Sequence, residues 1–168
     1  ARLPAGEIYE PQVISLDLYA TFSAAAGGHG STPDSVDLVP FLRHERPGEP
    51  HDVLYWRSGP TIAIRDDRWK LIEYALLDTS ESQLDASGRL VTPPGGWQLD
   101  PATPKLTLLY DLISDPKEQH NLAARYPEEV SRLRKRHEMW AGQLATPILP
   151  PERSAPGKID GKAVQLVF

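Results

Sequence analysis

The stretch LTLLYDLISDPKEQHNLA, Leu106 to Ala123, joins two kinds of sequence. Its first half is a near-continuous apolar run, which predicts a buried strand over 106–112. Its second half opens with Asp115-Pro116, a dipeptide typical of a type I turn, and continues with spaced acidic and amide side chains. The turn either carries chemistry or fixes the start of the next helix, and the sequence around it decides between the two.

A metal loop is the functional alternative for this turn, because Asp115, Glu118 and Asn121 follow one another at three-residue spacing. Calcium loops need more oxygen ligands than this segment offers, and they rely on a glycine that is absent here. We therefore favour a structural role. Asp115-Pro116 forms the turn, Glu118 accepts backbone N–H bonds, and Asn121 bridges the exit towards the next helix.

The segment after the turn, 127–145, has the clearest helical pattern in the chain. Pro127 suits the first helical turn, and Glu128 and Glu129 complement the positive end of the helix dipole. At about 100° per residue, one narrow face collects the side chains that we predict to be buried, with His137 as a hydrogen-bonded core histidine: Val130, Leu133, His137, Trp140 and Leu144.

Upstream of the opening stretch, 52–57, 61–66 and 68–75 are rich in β-branched and aromatic residues and are predicted as strands. Asp66 and Asp67 lie between the last two strands, so these strands are expected to pair as a hairpin. The two carboxylates resemble a paired acid–base site, but the hairpin turn explains them fully.

The N-terminal segment 15–27 is a second predicted helix. Ser15 is a suitable N-cap, Asp17 lies in the first turn, and Gly27 can adopt the left-handed conformation at the end. A stripe on about one third of its circumference is predicted to face the core: Leu18, Tyr19, Phe22, Ala25 and Ala26. Pro40 limits any later helix around 36–43 to a short piece.

The order of elements predicts an α+β fold, in which a small antiparallel sheet of about four strands packs against the amphipathic C-terminal helix, with one N-terminal helix. Residues 1–145 are expected to form this unit. Residues 76–105 are predicted to be a long, mobile surface excursion, because they are rich in Pro and Gly and lack periodicity. Residues 146–168 are predicted as a Pro-rich tail with a last strand at 162–168.

Composition excludes several classes of function. The chain has 168 residues, 40% of them hydrophobic, with a net charge of −5 and no cysteine. The negative charge argues against nucleic-acid binding, and no apolar run approaches the ~20 residues of a membrane span. Without cysteine there is no disulfide, thiolate metal site or cysteine nucleophile. Residues 1–12 show neither the charged nor the apolar region of a signal peptide.

The histidines form no catalytic or metal-binding pattern. His29-Gly30 resembles the His-Gly pairs of metallophosphatases but has no acidic residue before it, so we interpret it as an exposed loop pair. His44, His51 and His120 form no HxH or HxxxH spacing, the two spacings expected of a pair of zinc ligands on one strand or helix. A GxSxG nucleophile elbow is also absent. Composition and spacing alone therefore identify no active site.

The order of motifs resembles the C-terminal part of the type I, formylglycine-dependent sulfatases. The matching blocks run from about Leu3 to Leu144 with only the 76–105 region unaligned, and are, in order, SLDLYATFSAAAGG, DSVDLVPFLR, HDVLYWR, AIRDDRWKLI and LYDLISDPKEQHNLAARYPEEVSRL. Ala20 stands where the family usually has proline, and Asp67 where it often has glycine. In that family the LYDL strand ends the small sheet and the following turn leads into the terminal helix, so the opening turn is expected to be a joint.

The resemblance also implies what this chain lacks. The family's C/S-x-P-S-R motif, its calcium-binding carboxylates and its catalytic Lys and His residues all precede the first matching block, and no position here matches them. The resemblance thus implies a missing N-terminal catalytic domain as partner, which would hold calcium and formylglycine, and no cofactor in this chain. The substrate of the parent would be a sulfated small molecule or carbohydrate, and a periplasmic or secreted location would be compatible with it.

Three function hypotheses follow. The chain is the non-catalytic subdomain of a sulfatase, a stand-alone binding module, or the same subdomain of a related phosphodiesterase or phosphonate hydrolase. Trp97, Arg57 and His51 are the candidate residues for the wall of a substrate cleft, and no catalytic or metal residue is predicted. If a catalytic domain is missing, the apolar stripe of the N-terminal helix, above all Leu18, Tyr19 and Phe22, is expected to be left uncovered.

Overall fold

The computed structural model describes residues 3–30, 32, 34–75 and 105–145, together with the backbone of 154–159 and 162–167. The chain divides into two compact units, Ala1–Leu54 and Tyr55–Phe168. The expected boundary at residue 145 stays a prediction. The predicted α+β class is confirmed by a four-stranded antiparallel sheet with a helix following it in the chain.

The first unit contains two helices, α1 (Leu16–Ala25) and α2 (Val39–Leu42). Its buried apolar side chains come from α1, from α2 and its flank, and from the last two residues of the unit: Ala20, Leu38, Phe41, Val53 and Leu54. Gly27 has φ of +78°, which confirms the predicted left-handed end of α1. Ser15 precedes α1 but makes no side-chain capping bond, so its predicted capping role is wrong.

The predicted core stripe of α1 is also wrong. Leu18, Tyr19 and Phe22 are 48%, 57% and 66% exposed, whereas the buried residues of the helix are Asp17 and Ala20. The physical reason is that the Asp17 carboxylate has bonding partners inside the unit, which compensate the cost of burying its charge. The helix therefore turns Asp17 and Ala20 inwards and its most apolar stripe outwards.

The second unit is built on the sheet β1 (Leu54–Ser58), β2 (Thr61–Arg65), β3 (Trp69–Ala75) and β4 (Lys105–Asp111), whose spatial order is the sequence order. The predicted strands are thus confirmed with small shifts at their ends. β2 and β3 pair antiparallel around Asp66, whose backbone N–H donates to the Trp69 carbonyl at 3.0 Å. This is the predicted hairpin.

The register of the sheet explains its core. Ile64 pairs with Leu71, and Leu71 pairs with Leu109, so the three side chains form a row across one face, each 0% exposed. We call this the helix face, because α3 (Pro127–Ala141) packs on it and contributes the equally buried Leu133. Side chains alternate along strands, so Arg65, Lys70 and Ile72 belong to the opposite, outer face.

Within α3 the predicted buried stripe holds over most of its length. Val130, Leu133 and His137 are buried, and the Trp140 ring stacks on Tyr55 with centroids 4.9 Å apart and planes within 9°. Leu144 is exposed, contrary to the prediction, because the helix ends at Ala141. A partner for the last turn of the predicted stripe is therefore missing.

The C-terminal segment forms a second, two-stranded antiparallel sheet of β5 (Ser154–Ile159) and β6 (Lys162–Val167). The predicted last strand corresponds to β6. Its partner β5 was not predicted, since Pro156 and Gly157 within it are poor strand formers.

Candidate functional site

A buried carboxylate organises the first unit. Asp17 is 0% exposed and accepts backbone N–H bonds from Ile14 and Val36, each at 2.9 Å. The His51 Nε2 atom lies 2.9 Å from both of its carboxylate oxygens. His51 is tied in addition through its carbonyl, which accepts a bond from the Gln12 side-chain amide at 3.0 Å.

This Asp17–His51 pair joins segments that are distant in sequence, and the Asp17 carboxylate is bonded to Ile14, Val36 and His51. Both oxygens of Asp17 are used by the backbone and the imidazole, so neither is left to bind a metal or to take a proton from a substrate. The arrangement fixes the segment around Val36 and the one around His51 against the first turn of α1. Its role is structural.

The helix face of the second unit holds a second buried carboxylate. Glu73 is 1% exposed, and the Arg134 guanidinium on α3 donates to it from Nη2 at 2.6 Å and from Nε at 3.2 Å. The Thr107 hydroxyl donates a further bond at 3.0 Å. Burial alone would raise the pKa of Glu73, but the bonds and charge of Arg134 outweigh it and lower this pKa.

Two further ion pairs hold the ends of the strands. Asp66 accepts bonds from the Trp69 and Arg68 backbone N–H groups and from Arg132 on α3, and these outweigh the effect of burial to lower its pKa. Asp111 accepts hydrogen bonds from Nε and Nη2 of Arg68 at 3.2 and 2.8 Å, and these bonds lower the pKa of Asp111. The predicted hairpin role of Asp66 is what the geometry shows.

His137 is the core histidine that the helical pattern predicts. It is 2% exposed, and its Nε2 lies 3.1 Å from the Trp56 carbonyl oxygen, which can only accept, so Nε2 carries a proton. Burial lowers the pKa of His137, with the Trp56 carbonyl opposing and the Arg57 charge assisting this shift. The imidazole is therefore held neutral as a donor to β1, in a position enclosed by Tyr55 and Trp140.

The turn at 115–121 acts as a joint between β4 and α3. Asp115 accepts the His120 backbone N–H at 2.8 Å, and Asn121 accepts the Leu109 and Ala123 N–H groups while donating to the Thr107 carbonyl. Asn121 thus anchors the turn to the edge of β4. Glu118 differs from the prediction, because its carboxylate binds Lys70 at 2.7 Å and not the backbone.

The outer face of the sheet carries a concavity of about 500 Å³. It is lined by outward side chains of β2 and β3, among them Tyr74, by Trp56 of β1, and by Leu112, Pro116 and Glu118 after β4. Trp56 is 39% exposed. This volume lies in the range of small-molecule sites, which combine apolar and aromatic walls with a few polar groups.

Two basic side chains lie next to each other in the floor of this concavity, since Arg65 pairs with Lys70 across β2 and β3. The Lys70 ammonium is held by both oxygens of Glu118, at 2.7 and 2.9 Å. The Arg65 Nε atom is buried and has no hydrogen-bond partner among the residues that the structure describes. Within the described residues, the concavity therefore carries one cation, Lys70, that is neutralised by an ion pair and one, Arg65, that forms none.

Of the three residues expected at a substrate cleft, two lie among the described residues, one in each unit. His51 lies in the first unit against Asp17, and Arg57 is exposed on β1, where its Nε donates to the Gly59 carbonyl at 3.5 Å. Trp97 lies outside the described residues. Their role at a substrate cleft stays a prediction.

Sequence reasoning missed the residues that do share a concave site, namely Trp56, Arg65, Lys70 and Glu118. The hairpin pattern contained part of the signal, because antiparallel pairing around the Asp66 turn places Arg65 and Lys70 side by side. Nothing local indicates that Glu118, 48 residues after Lys70, neutralises one of them.

Neither metal chemistry nor a membrane span is indicated by the described part of the chain. Within residues 3–30, 32, 34–75 and 105–145, no group of three or more His, Cys, Asp or Glu side chains could hold a metal ion. No helix in the described residues is long and apolar enough to cross a membrane.

No family model and no curated protein matches this chain. A solved structure from Bacteroides thetaiotaomicron, described under the metabolism of multiple glycosaminoglycans and labelled S-sulf, is similar over 76% of this chain, with 21% sequence identity and a TM-score of 0.44. The chain spans only 24% of that structure's length. At this identity and TM-score, the likeness establishes no function for the chain.

Proposed function

We propose that this chain is the C-terminal, non-catalytic part of a sulfatase that hydrolyses sulfate monoesters, and that it stabilises the enzyme and forms a wall of the substrate cleft. The observation that carries the proposal is the sequence resemblance, in which the matching blocks follow one another in the family's order from about Leu3 to Leu144. One block of this length can match the family by chance, whereas a chance match of all the blocks in the same order is improbable.

The geometry of the matching blocks supports this role. Their polar residues act in folding: Asp17 fixes segments of the first unit, Asp66 closes the β2–β3 hairpin, and Asn121 anchors the joint before α3. Residues used in this way belong to a scaffold. The motifs are thus explained without assigning catalysis to any of them.

The chemistry of sulfate ester hydrolysis supports a separate catalytic partner. The reaction needs a nucleophile activated at neutral pH and positive charge at the transferring group. This chain has no cysteine to become formylglycine and no C/S-x-P-S-R segment. The buried carboxylates Asp17 and Glu73 are bound to His51 and Arg134, so they offer no calcium site. In the proposed parent, calcium and formylglycine belong to the catalytic domain.

The outward stripe of α1 is the surface that we assign to that partner. Leu18, Tyr19 and Phe22 are about half exposed or more, an arrangement that costs free energy in water unless a neighbour covers it. In the resembling family the matching helix directly follows the last catalytic segment in the chain. The catalytic domain is therefore the occupant to which we commit.

The activity of the purified chain tests the proposal. Hydrolysis of 4-nitrophenyl sulfate by the chain alone is expected to be absent, and calorimetric titration is expected to show no calcium binding at micromolar concentration. Turnover that survives repurification, or micromolar affinity for calcium, would mean that the chain is not the non-catalytic part.

A further inference from the structure

We propose that the outer-face concavity is a binding site for a small ligand that joins a flat ring to an oxyanion, such as a carboxylate, sulfate or phosphate group. This inference goes beyond the proposed function, because it needs no catalytic domain and concerns the second unit alone. It assigns a ligand-binding role to Arg65 and Trp56.

The first argument is the state of the Arg65 side chain. Its Nε–H is buried yet makes no hydrogen bond to any described residue. A buried donor without a partner is destabilising, and more so when the group is charged, so such groups are rare unless water or a ligand completes them. The Arg65 side chain lines a concavity of about 500 Å³, so a ligand there can contact the guanidinium, and a rotation of the side chain brings the enclosed Nε–H within its reach.

The second argument is the balance of charge in the floor. Arg65 and Lys70 are cross-strand partners, and like charges in such positions repel each other. Glu118 neutralises Lys70 through both carboxylate oxygens, so the protein itself settles one of the two cations. Arg65 forms no ion pair with any described residue, and its positive charge lies in a partly apolar environment, where attraction to an anion is stronger than in water.

The third argument concerns the chemical class of the ligand. A guanidinium offers parallel N–H donors, including Nε–H, in a fork that fits two oxygens of a carboxylate, sulfate or phosphate. Trp56 and Tyr74 supply aromatic walls, and Ile72 and Leu112 supply apolar surface. An anion alone would leave this apolar surface exposed to water, whereas a ring attached to the anion would cover it.

Calorimetric titration of the folded chain with naphthalene-2-sulfonate tests the proposal, with naphthalene-2-carboxylate and 2-naphthyl phosphate identifying the preferred oxyanion. Uncharged 2-naphthalenemethanol is the matched control ligand. We expect saturable binding of at least one anion and binding of the alcohol that is about tenfold weaker or more. Absence of binding by all three anions, or equal affinity for the alcohol, would overturn the proposal.

Two pairs of variants locate the site. Arg65→Gln is expected to weaken binding of the anion about tenfold, whereas Lys135→Gln, which removes one positive charge from the exposed side of α3, is expected to leave it unchanged. Arg65→Lys keeps the charge but loses the fork, and Trp56→Phe reduces the ring surface, so each is expected to give an intermediate affinity. Folding is checked by circular dichroism. Affinity that is unchanged in folded Arg65→Lys and Trp56→Phe would overturn the assignment.

Discussion

Among the residues that the structure describes, each buried carboxylate is bound to a basic side chain that is distant in sequence. Asp17 binds His51, Asp111 binds Arg68 and Glu73 binds Arg134, with separations of 34, 43 and 61 residues. Burying a charge is tolerated when it is paired and fully hydrogen-bonded, and losing one partner leaves the other charge uncompensated. These pairs therefore specify which segments meet.

Substitution of Asp17 tests whether its pairing with a distant residue stabilises the first unit. Asp17→Asn removes the charge that holds His51 and replaces one acceptor oxygen by an NH₂ group that cannot accept from Ile14 or Val36, so we expect a loss of about 2–4 kcal/mol in the free energy of unfolding. Urea unfolding measures it. Asp34→Asn, the same change at an exposed position, is the control and is expected to change stability by less than about 0.5 kcal/mol. Equal effects of the two changes would refute the role of Asp17.

The pKa shifts predict how stability depends on pH. The pKa of His137 is lowered from 6.5, so its neutral form stabilises the fold above that pH, and this contribution is lost as pH falls below 6.5. The pKa values of Glu73 and Asp66 are lowered from 4.5 and 3.8, so their contributions are lost only at lower pH, as each folded pKa is approached. We expect two successive decreases in the free energy of unfolding on acidification.

A neutral variant separates the two decreases. In His137→Gln the amide can still donate to the Trp56 carbonyl but does not titrate. As the pH is lowered from 7 through 6.5, the difference in the free energy of unfolding between the wild type and this variant should decrease. Urea unfolding at each pH measures it. A difference that is independent of pH would show that His137 is not held neutral by the fold.

At the scale of elements, the sequence pattern predicts a helix or strand correctly where one face of that element packs against the core. The alternation in β2 and β3 and the 3.6-residue period of α3 specify the sheet and its covering helix. The prediction for α1 is wrong because burial of Asp17, and not its apolar stripe, decides the orientation of the helix. The concave site was not predictable, because Lys70 and Glu118 lie on separate elements and meet only through the β3–β4 pairing and the turn after β4.

Substitution of Trp140 tests how much the end of α3 contributes to the free energy of unfolding. Trp140→Ala removes a ring stacked on Tyr55, and because the side chain is only partly buried we expect a loss of about 3 kcal/mol, at the low end for a core Trp. The control is Leu144→Ala, beyond the end of the helix at an exposed residue, with an expected loss below about 0.5 kcal/mol. Thermal and urea unfolding measure both. Similar values for the two would show that the stacking adds no stability.

At the scale of the whole molecule, the exposed stripe of α1 should make the isolated chain associate with itself. Phe22→Glu places a charge on the stripe and is expected to shift sedimentation towards the monomer at high protein concentration, with little change in the free energy of unfolding. Ala24→Glu adds the same charge to an exposed position off the stripe and should leave association unchanged. Sedimentation that is the same for the wild type and both variants would argue against an uncovered docking surface.

The most direct test of the proposed function is the nature of the native polypeptide that contains these residues. Native protein isolated with an antibody against this chain is analysed by intact mass and by sequencing of its peptides. The account predicts a polypeptide several times longer, with a C/S-x-P-S-R segment before Leu3 whose first residue has the mass of formylglycine. A native polypeptide without that segment, or one with a metal-bound Thr or Ser nucleophile in its place, would contradict the account.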